Sequence, residues 1–364
     1  ISVATCTLFI FRNRENEIIR PTYGGSRLIV ELKEHLESSG QKISILSVQR
    51  IKSIAAWLLT EKIVSQDRTV FKKGMRPRWR LSVIIAIAAD IASRLDPIFK
   101  LTTKRIVEQE RPEVIFFHGP IGALAVTKIA KCENVKIVVC EHNVDCLFYE
   151  DKLSGNPLDT VLIRILTALE FRALRAADSV MCFSARDRHV LQQVVGKGRI
   201  DLLEFQTTRP ILLKESRPPT RKVAFLAGFL GTAHTPNVVV AEYLLRIART
   251  LPNNLIFLLI GPVGTALQGG KPPSNVVVTG YVDDVKPYLS LCDVFLNLKS
   301  TSKTGIEAKM FDYLKYDAPI ISTKIGAEGF RDTAKRLVLI DDMEQLPTML
   351  LSMYNKAMAP SDQC

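Results

Sequence analysis

The residues of this sequence best suited to chemistry lie between Gly305 and Leu314, where a lysine and an aspartate stand within an apolar repeat. Apolar side chains recur at helical spacing from Ile306 to Leu314 and predict a helix with one packed side. Lys309 and Asp312 are three residues apart, so their side chains share one face of that helix. Gly305 at the predicted helix start would present backbone N–H groups to a phosphate, and Asp312 would accept from a ribose hydroxyl.

The same spacing has a plainer interpretation. An exposed ion pair between Lys309 and Asp312 on an ordinary surface helix would show the same pattern. Spacing alone leaves both interpretations open, so the residues at the ends of other predicted elements have to be considered.

Small and polar residues follow several predicted strands. Gly24 and Gly25 come after the first strand, where glycine lets the backbone approach a ligand closely. His118 and His142 stand at the ends of two successive strands, and Gly231 follows the first strand of the second half. Parallel sheets bind ligands beyond the carboxyl ends of their strands, so both histidines are candidate catalytic residues. The alternative for each histidine is a structural role in the core.

Strand-like and helix-like segments alternate through both halves of the 364-residue chain. This alternation predicts an α/β protein with two tandem Rossmann-like, doubly wound domains and a ligand cleft between them. The predicted divisions are a first domain at 1–207, a linker at 208–221, a second domain at 222–341, and a closing helix and tail at 342–364. Elements predicted near the candidate residues include strands Val3–Phe11, Val114–Phe117, Lys136–Cys140, Val223–Leu226 and Ile320–Ser322, and helices Asp284–Cys292, Ile306–Lys315 and Asp342–Tyr354.

Several function classes are disfavoured by missing motifs. The sequence has no G-x-x-x-x-G-K-[ST] loop, no G-x-G-x-x-G after its first strand and no G-x-S-x-G turn. These absences disfavour P-loop nucleotidases, dehydrogenases and α/β hydrolases. No Asp-x-Asp or clustered metal ligands occur, so we expect no bound metal. Seven scattered cysteines without a Cys-x-x-Cys pair favour a reducing, cytoplasmic compartment, and we expect neither a signal peptide nor a spanning helix.

Positive charge is concentrated in the first half. The net charge is +12, and residues 50–111 hold 14 lysines and arginines against six aspartates and glutamates. Lys72–Arg80 combines cations with a tryptophan and precedes the apolar stretch Leu81–Ala92, a combination that suits an anionic membrane surface. No nucleic-acid-binding signature occurs, so nucleic acid is not an expected partner. A solvated basic loop beside a core helix is the alternative to peripheral binding at the inner face of the membrane.

The motifs of this chain, and their order, resemble those of one protein family. The second half resembles the donor domain of the group 1 glycosyltransferases, which form family 4 of the retaining GT-B enzymes, in the branch with a Pro-Asn helix start. The motifs that carry this resemblance are Gly228–Asn237, Ile260–Pro262, Val278–Val285, Gly305–Leu314 and Ile320–Gly329. The first half resembles the acceptor domain more loosely, through Gly24–Gly25, His118, Glu141–Asn143, Ala177–Val180 and Phe183–Ser184.

The resemblance implies a UDP- or GDP-sugar donor in the interdomain cleft, no cofactor, and a glycan or lipid-linked acceptor of cell-envelope or polysaccharide synthesis. Asp312 takes the place of the family's ribose-binding glutamate, and Lys309 matches the lysine before it. The expected donor-binding residues are Gly231, Lys303, Thr304, Gly305, Glu307, Lys309 and Asp312. The expected catalytic residues are His118 and His142, and the expected acceptor-binding residues are Gly24 and Gly25.

Two departures from the family pattern matter for the site. Thr304 stands where the family has a second acidic residue, eight positions before Asp312. The arginine and lysine that often clamp the diphosphate fall near Phe229 and His234, which leaves Lys303 and Lys309 to supply positive charge. These departures keep two alternatives open, namely a sugar-nucleotide epimerase of GT-B fold and a non-catalytic scaffold that binds nucleotide sugars.

Overall fold

The computed structural model describes residues 6–11, 24–59, 76–150, 153, 156–206, 223–233, 235–267, 271–299, 304–331 and 336–359. The chain divides into two compact units. The first comprises Ile1–Glu204 with Lys303–Ala308, and the second comprises Phe205–Ser302 with Lys309–Cys364. The linker predicted at 208–221, both of its boundaries and Lys303 itself lie outside the described residues.

The first unit is built on a six-stranded sheet in which every described strand pair is parallel. Its strands are β1 (Cys6–Phe11), β2 (Lys42–Ser47), β3 (Val114–His118), β4 (Lys136–Glu141), β5 (Ser179–Cys182) and β6 (Ile200–Leu202). Its helices are α1 (Gly24–Ser38), α2 (Arg76–Leu95), α3 (Pro97–Glu110), α4 (Ala123–Cys132), α5 (Asp145–Glu150), α6 (Pro157–Ala176) and α7 (Ala185–Val195). The strand order is β2-β1-β3-β4-β5-β6, so the direction of winding reverses between β1 and β3.

The second unit repeats this plan. Its strands are β7 (Phe205–Gln206), β8 (Phe225–Leu230), β9 (Leu255–Ile260), β10 (Val276–Gly280), β11 (Val294–Asn297), β12 (Ile320–Thr323), β13 (Phe330–Arg331) and β14 (Leu337–Ile340). Its helices are α8 (Thr235–Ala248), α9 (Lys286–Leu289), α10 (Met310–Tyr313) and α11 (Leu346–Met358). The main sheet is parallel, in the order β10-β9-β8-β11-β12-β14, and its winding reverses between β8 and β11. Two parallel doubly wound sheets confirm the predicted fold class.

Local sequence explains why several helices begin where they do. Asn156 and Asp96 each accept from backbone N–H groups of the following turn, and a proline stands directly after each of them. A polar cap followed by proline is typical of a helix start, because proline has no N–H to leave unsatisfied there. The strands need no such signals, because continuous apolar runs such as Ile115–Phe117, which is buried throughout, are typical of parallel sheets.

Several predicted elements near the candidate residues were wrong in their bounds, and the closing helix predicted at Asp342–Tyr354 is α11, Leu346–Met358. The helix predicted at Ile306–Lys315 is reduced to α10, Met310–Tyr313, because Gly305 has a φ of +81° and the chain before Met310 is not helical. The helix predicted at Asp284–Cys292 is only α9. The strand predicted at Val223–Leu226 begins at Phe225 and continues to Leu230, so Gly228 and Phe229 belong to β8.

Within the described part of the chain, no helix is both long enough and apolar enough to cross a bilayer. The described cysteine side chains at Cys132, Cys140, Cys146, Cys182 and Cys292 are free thiols. The described residues also contain no group of three or more metal-ligating side chains.

Tyr313 joins α10 to the sheet of the second unit. Its side chain is fully buried and its ring stacks on Phe295, with centroids 4.6 Å apart. The hydroxyl accepts from the N–H of Leu230 at 2.8 Å and donates to the carbonyl of Leu296 at 3.3 Å. One phenol therefore contacts the backbone of two neighbouring strands, β8 and β11, and fixes α10 against them.

Replacing Tyr313 with phenylalanine should keep the stacked ring and remove the acceptor of the partly buried Leu230 N–H. We expect the free energy of unfolding to fall by about 1–3 kcal/mol, measured by urea denaturation with circular dichroism. Tyr281→Phe is the control, because the side chain of Tyr281 is 71% exposed, and it should change stability by less than about 0.5 kcal/mol. Equal losses in the two variants would contradict this account of Tyr313.

Candidate functional site

Two histidines meet at the carboxyl edge of the first sheet. His118 is the last residue of β3, and His142 follows the last residue of β4. Because the two strands are adjacent and parallel, with His118 opposite Cys140, both side chains reach the same edge. The imidazole rings stack with centroids 4.6 Å apart and an interplanar angle of 5°. The predicted strand-end positions are confirmed, and the two histidines form a pair.

The loop that carries His142 is held by a buried carboxylate from α6. Glu170 has no exposed surface, and its two oxygens accept from the N–H groups of Asp145 and Cys146 at 2.7 and 2.8 Å. Burial and the nearby carboxylate of Asp145 raise the pKa of Glu170, whereas the hydrogen bonds from the loop act against this. The start of α5, three residues after His142, is therefore tied to α6.

Thr304 and Gly305 are held in the first unit by Asp187. The carboxylate of Asp187, in the first turn of α7, accepts from the Thr304 hydroxyl at 2.6 Å and from the Gly305 N–H at 3.0 Å. The Thr304 hydroxyl oxygen in turn accepts from the N–H of Val144 at 2.6 Å. These bonds link α7, the segment 304–305 and the His142 loop in one network.

Asp187 is fully buried, and burial raises the pKa of its carboxyl group. The hydrogen bonds from Thr304 and Gly305 lower that pKa and partly compensate for the buried charge. The sequence shows only the local half of this arrangement, because Ser184 caps α7 by accepting from the N–H of Asp187 at 3.0 Å. The sequence analysis did not single out Asp187, because its contacts with Thr304 and Gly305 are distant in sequence.

Gly305 is required where it stands. Its φ of +81° lies in the left-handed region, which disfavours residues with a side chain. A Cβ atom built on it would lie 2.0 Å from Oδ1 of Asn143 and 3.4 Å from the carbonyl oxygen of His142. The glycine therefore does not start a helix. It lets the segment approach the His142 loop, and its N–H is directed to Asp187.

Lys309 lies in the second unit and is largely buried, with 9% of its surface exposed. Its ammonium group donates to Oδ1 of Asn237 at 3.2 Å and lies 4.4 Å from the centroid of the Phe229 ring. Burial of Lys309 contradicts the interpretation of this lysine as half of an exposed surface ion pair. Since Phe229 precedes the last residue of β8 and Asn237 lies in the first turn of α8, Lys309 stands at the carboxyl edge of the second sheet.

Asn237 does not cap α8, because the helix already begins at Thr235. Its amide nitrogen donates to the carbonyl of Thr232 at 3.2 Å, which turns the amide oxygen toward Lys309. The Asn237 side chain orients the buried cation instead. Phe229, which falls near a cationic position of the family pattern, contributes a ring face that attracts the same ammonium group.

Gly231 lies where the ends of β8 and β9 converge. A Cβ atom at this position would lie 3.2 Å from both Phe229 and Val263 and 3.3 Å from Asn237, so a larger residue would press on the groups that hold Lys309. At the neighbouring strand ends, the buried amide of Asn297 donates to Ser322 at 2.9 Å and to the carbonyl of Gly326 at 2.8 Å. Backbone and polar groups therefore crowd this edge of the sheet.

The other predicted site residues within the described part of the chain are Asp312, Glu307, Gly24 and Gly25. The side chain of Asp312 is 15% exposed, and one carboxylate oxygen lies 3.9 Å from the Lys315 ammonium group. Glu307 is half-buried, and Gly24 and Gly25 begin α1. The structure thus groups His118, His142, Thr304 and Gly305 in the first unit and Gly231 with Lys309 in the second.

Two protein-family models match the sequence. One, described as Glycosyltransferase Family 4, matches residues 22–203, and the other, described as Glycosyl transferases group 1, matches residues 224–356. A comparison with curated proteins gave no match.

Solved structures share the fold at low sequence identity. Sucrose-phosphate synthase from Thermosynechococcus elongatus is 12% identical, with a TM-score of 0.57 over 97% of this chain and 90% of that one. HepE from Anabaena in complex with UDP is 10% identical, with a TM-score of 0.54 over 98% and 94% of the two chains. The complex of HepE with UDP-glucose is 12% identical, with a TM-score of 0.54 over 97% and 93%.

Gly305→Ala should be strongly destabilising, because it adds a clash with Asn143 to an unfavourable φ. Gly40→Ala is a matched control, since Gly40 also has a φ of +81° but has nothing within 4 Å of its Cβ position. We expect a loss of about 1–2 kcal/mol for Gly40→Ala and a larger loss for Gly305→Ala, measured by urea denaturation. Equal losses would show that the contact with Asn143 does not constrain this position.

Proposed function

This chain belongs to the group 1 glycosyltransferases of family 4, and we propose that it transfers a sugar from a UDP- or GDP-sugar, with retention at the anomeric carbon and without a metal ion. The proposed acceptor is a glycan or lipid-linked precursor of cell-envelope or polysaccharide synthesis. The observation that carries the donor half of this proposal is the buried ammonium group of Lys309 at the carboxyl edge of the second sheet.

A buried cation is suited to the departing group. When the bond between the sugar and the nucleoside diphosphate breaks, negative charge grows on the diphosphate oxygens. A cation already fixed in a low-dielectric site stabilises that charge more strongly than one in water and needs little reorganisation. Asn237 and the Phe229 ring hold Lys309 in this way. In the same unit we assign ribose binding to Asp312, whose carboxylate is half-buried.

The histidine pair supports an acceptor role for the first unit. His118 is 4% exposed and stacks on His142 at the carboxyl edge of its sheet. It ends β3, one of the two strands between which the winding reverses. Ligands of doubly wound sheets bind at this place. We assign to the two imidazoles the orientation of the acceptor hydroxyl at the reacting centre, and to Gly24 and Gly25 a close approach of backbone to the acceptor.

Nucleotide sugars are the first ligands to test. HepE, which shares the fold, is described in complexes with UDP and with UDP-glucose, and this supports a UDP-sugar as the initial choice. One observation favours a second candidate, a non-catalytic nucleotide-sugar-binding protein. Thr304, which replaces an acidic residue of the family pattern, has its hydroxyl directed to Asp187.

Thermal-shift screening of UDP- and GDP-sugars, followed by assays of donor hydrolysis and transfer in EDTA, separates these readings. Turnover in EDTA with an anomeric configuration retained in the NMR spectrum of the product is the expected result. Stabilisation by a nucleotide sugar without turnover would favour the binding protein, and an inverted product would remove the retaining mechanism.

The donor site makes its own prediction. Lys309→Met removes the buried cation and should weaken binding of the stabilising nucleotide sugar by about 10- to 100-fold, measured by calorimetry, as expected for loss of a charged hydrogen bond. Asp312→Ala should weaken binding in the same direction. Lys356→Met is the control, because Lys356 is exposed on α11. The Lys356→Met variant should bind the nucleotide sugar with wild-type affinity. Unchanged affinity in the first two variants would contradict the assignment.

We also propose a cytoplasmic location at the inner face of the membrane, with the starts of α2 and α6 as the contact surface. Arg80 forms an ion pair with the buried carboxylate of Asp159, which places these two helix starts side by side. The helices present exposed apolar side chains nearby, namely Leu81 and Ile84 on α2 and Leu158, Val161 and Ile165 on α6. The predicted basic segment Lys72–Arg80 leads into α2, but Lys72–Met75 lies outside the described residues.

The membrane proposal predicts flotation with vesicles that contain anionic lipid and little flotation with neutral vesicles. Leu81→Ser combined with Ile84→Ser should reduce flotation on anionic vesicles severalfold, because apolar insertion and electrostatic attraction act together. Leu339→Ser, on an exposed side chain of β14 in the second unit, is the control. Equal flotation on neutral and anionic vesicles would remove this surface from the proposal.

A further inference from the structure

The segment Lys303–Ala308 belongs to the first unit, although the residues before and after it belong to the second. Among its described residues, Thr304 and Gly305 are both buried. They are held by hydrogen bonds from their hydroxyl and N–H groups to the two carboxylate oxygens of Asp187. A single carboxylate, distant by 117 residues in sequence from Thr304, therefore fixes the placement of this segment.

The same network reaches the candidate catalytic loop. Thr304 accepts from the N–H of Val144, and Asn143 occupies the space beside the α-carbon of Gly305. Both residues lie directly after His142, whose ring stacks on His118. Any shift of Asp187 would consequently move Thr304 and loosen the loop that sets the position of the His142 imidazole.

Asp187 holds this segment although burying its carboxylate removes the charge from water, which is unfavourable. Its carboxylate has no exposed surface, and a buried charge is unfavourable unless it is well hydrogen-bonded. Its two strong contacts go to a distant segment and not to the helix that carries it, since Ser184 supplies the cap of α7. A carboxylate needed only for the start of α7 would gain nothing from such contacts.

We propose that Asp187 is a positioning residue for sugar transfer, which locks Thr304–Gly305 to the His142 loop and so fixes the His142 imidazole. The kinetic part of this inference rests on the proposed function. It also changes the role predicted for two donor-binding residues, because the Thr304 proton and the Gly305 N–H are committed to Asp187. Both then act through position and not through contact with the donor.

Asp187→Asn preserves volume, removes the charge and leaves one of the two donated hydrogen bonds without an acceptor. With the nucleotide sugar that supports turnover, kcat should fall by about 10- to 100-fold, because misplacement of a catalytic group by about 1 Å has effects of this size. The donor KM should stay within about threefold of the wild-type value. Direct contact of Thr304 and Gly305 with the donor would raise KM instead, and that result would overturn the inference.

Variants of Thr304 test the hydrogen bond between Thr304 and Asp187 from its other side, and they serve if Asp187→Asn does not fold. Thr304→Val keeps the shape and removes the hydroxyl, so its kcat should fall as in Asp187→Asn, whereas Thr304→Ser should restore most of the wild-type rate. The double variant Asp187→Asn/Thr304→Val should be no slower than the slower single variant, because both changes break one interaction. Additive losses, or a Thr304→Ser rate as low as that of Thr304→Val, would contradict the inference.

Asp159→Asn is the matched control for a buried carboxylate. Asp159 is 2% exposed, lies near the start of α6 and pairs with Arg80, so it makes none of the contacts of Asp187. It should lower the melting temperature and leave kcat unchanged in a lipid-free assay of donor hydrolysis. A kcat for Asp187→Asn within twofold of that of Asp159→Asn would overturn the positioning role.

Hydrogen exchange separates failure of this inference from failure of the proposed function. Asp187→Asn should increase amide exchange in peptides covering 142–146 and 304–308, and Asp159→Asn should not. If the wild type turns over no nucleotide sugar, the proposed function fails while exchange still tests the link between the two segments. Unchanged exchange in both peptides would overturn the inference even where the enzyme is active.

Discussion

A buried carboxylate must find hydrogen-bond donors, and in this protein the partners of Asp187 determine the geometry around them. The aspartate lies in the first turn of α7 with no exposed surface, and it accepts from Thr304 and Gly305. Because the Gly305 N–H has to point at this carboxylate, the chain adopts a φ of +81° there and passes so close to Asn143 that no side chain fits. The requirement of one buried charge thus reaches the loop that carries His142.

Lys309 is a buried cation in the second unit, and two of its contacts are with neutral groups. Its ammonium group contacts an amide oxygen and the face of an aromatic ring. Both contacts fix the position of the ammonium group at the carboxyl edge of the second sheet, and a positioned cation in a low-dielectric place interacts strongly with an anionic ligand. In the first unit the buried charge of Asp187 holds the segment at Thr304 and Gly305, whereas in the second unit Asn237 and Phe229 orient the buried charge of Lys309.

The parts of the fold that were predictable from the sequence are those set by local pattern. Apolar runs and their alternation with helices predicted both parallel sheets, and they placed His118 and His142 at strand ends. The helix predicted from Ile306 to Lys315 was wrong for a tertiary reason, since Gly305 is bound to Asp187, 118 residues away in sequence. The spacing of apolar residues gives no information about a hydrogen-bond partner so distant in sequence. The contact between the Asn237 amide and Lys309, 72 residues away in sequence, is likewise not visible in local pattern.

The buried carboxylate of Asp187 accounts for a hydroxyl, and not a second carboxylate, at position 304. The family pattern places an acidic residue at position 304, and in this fold its side chain would face the Asp187 carboxylate at the distance now spanned by a 2.6 Å hydrogen bond. Two carboxylates that close in a buried place would repel, and one would have to take up a proton. A hydroxyl avoids this conflict because it can donate to Asp187 and accept from Val144 at the same time. A threonine at position 304 is therefore compatible with the buried carboxylate at position 187, whereas two acidic side chains at these positions would not both stay charged.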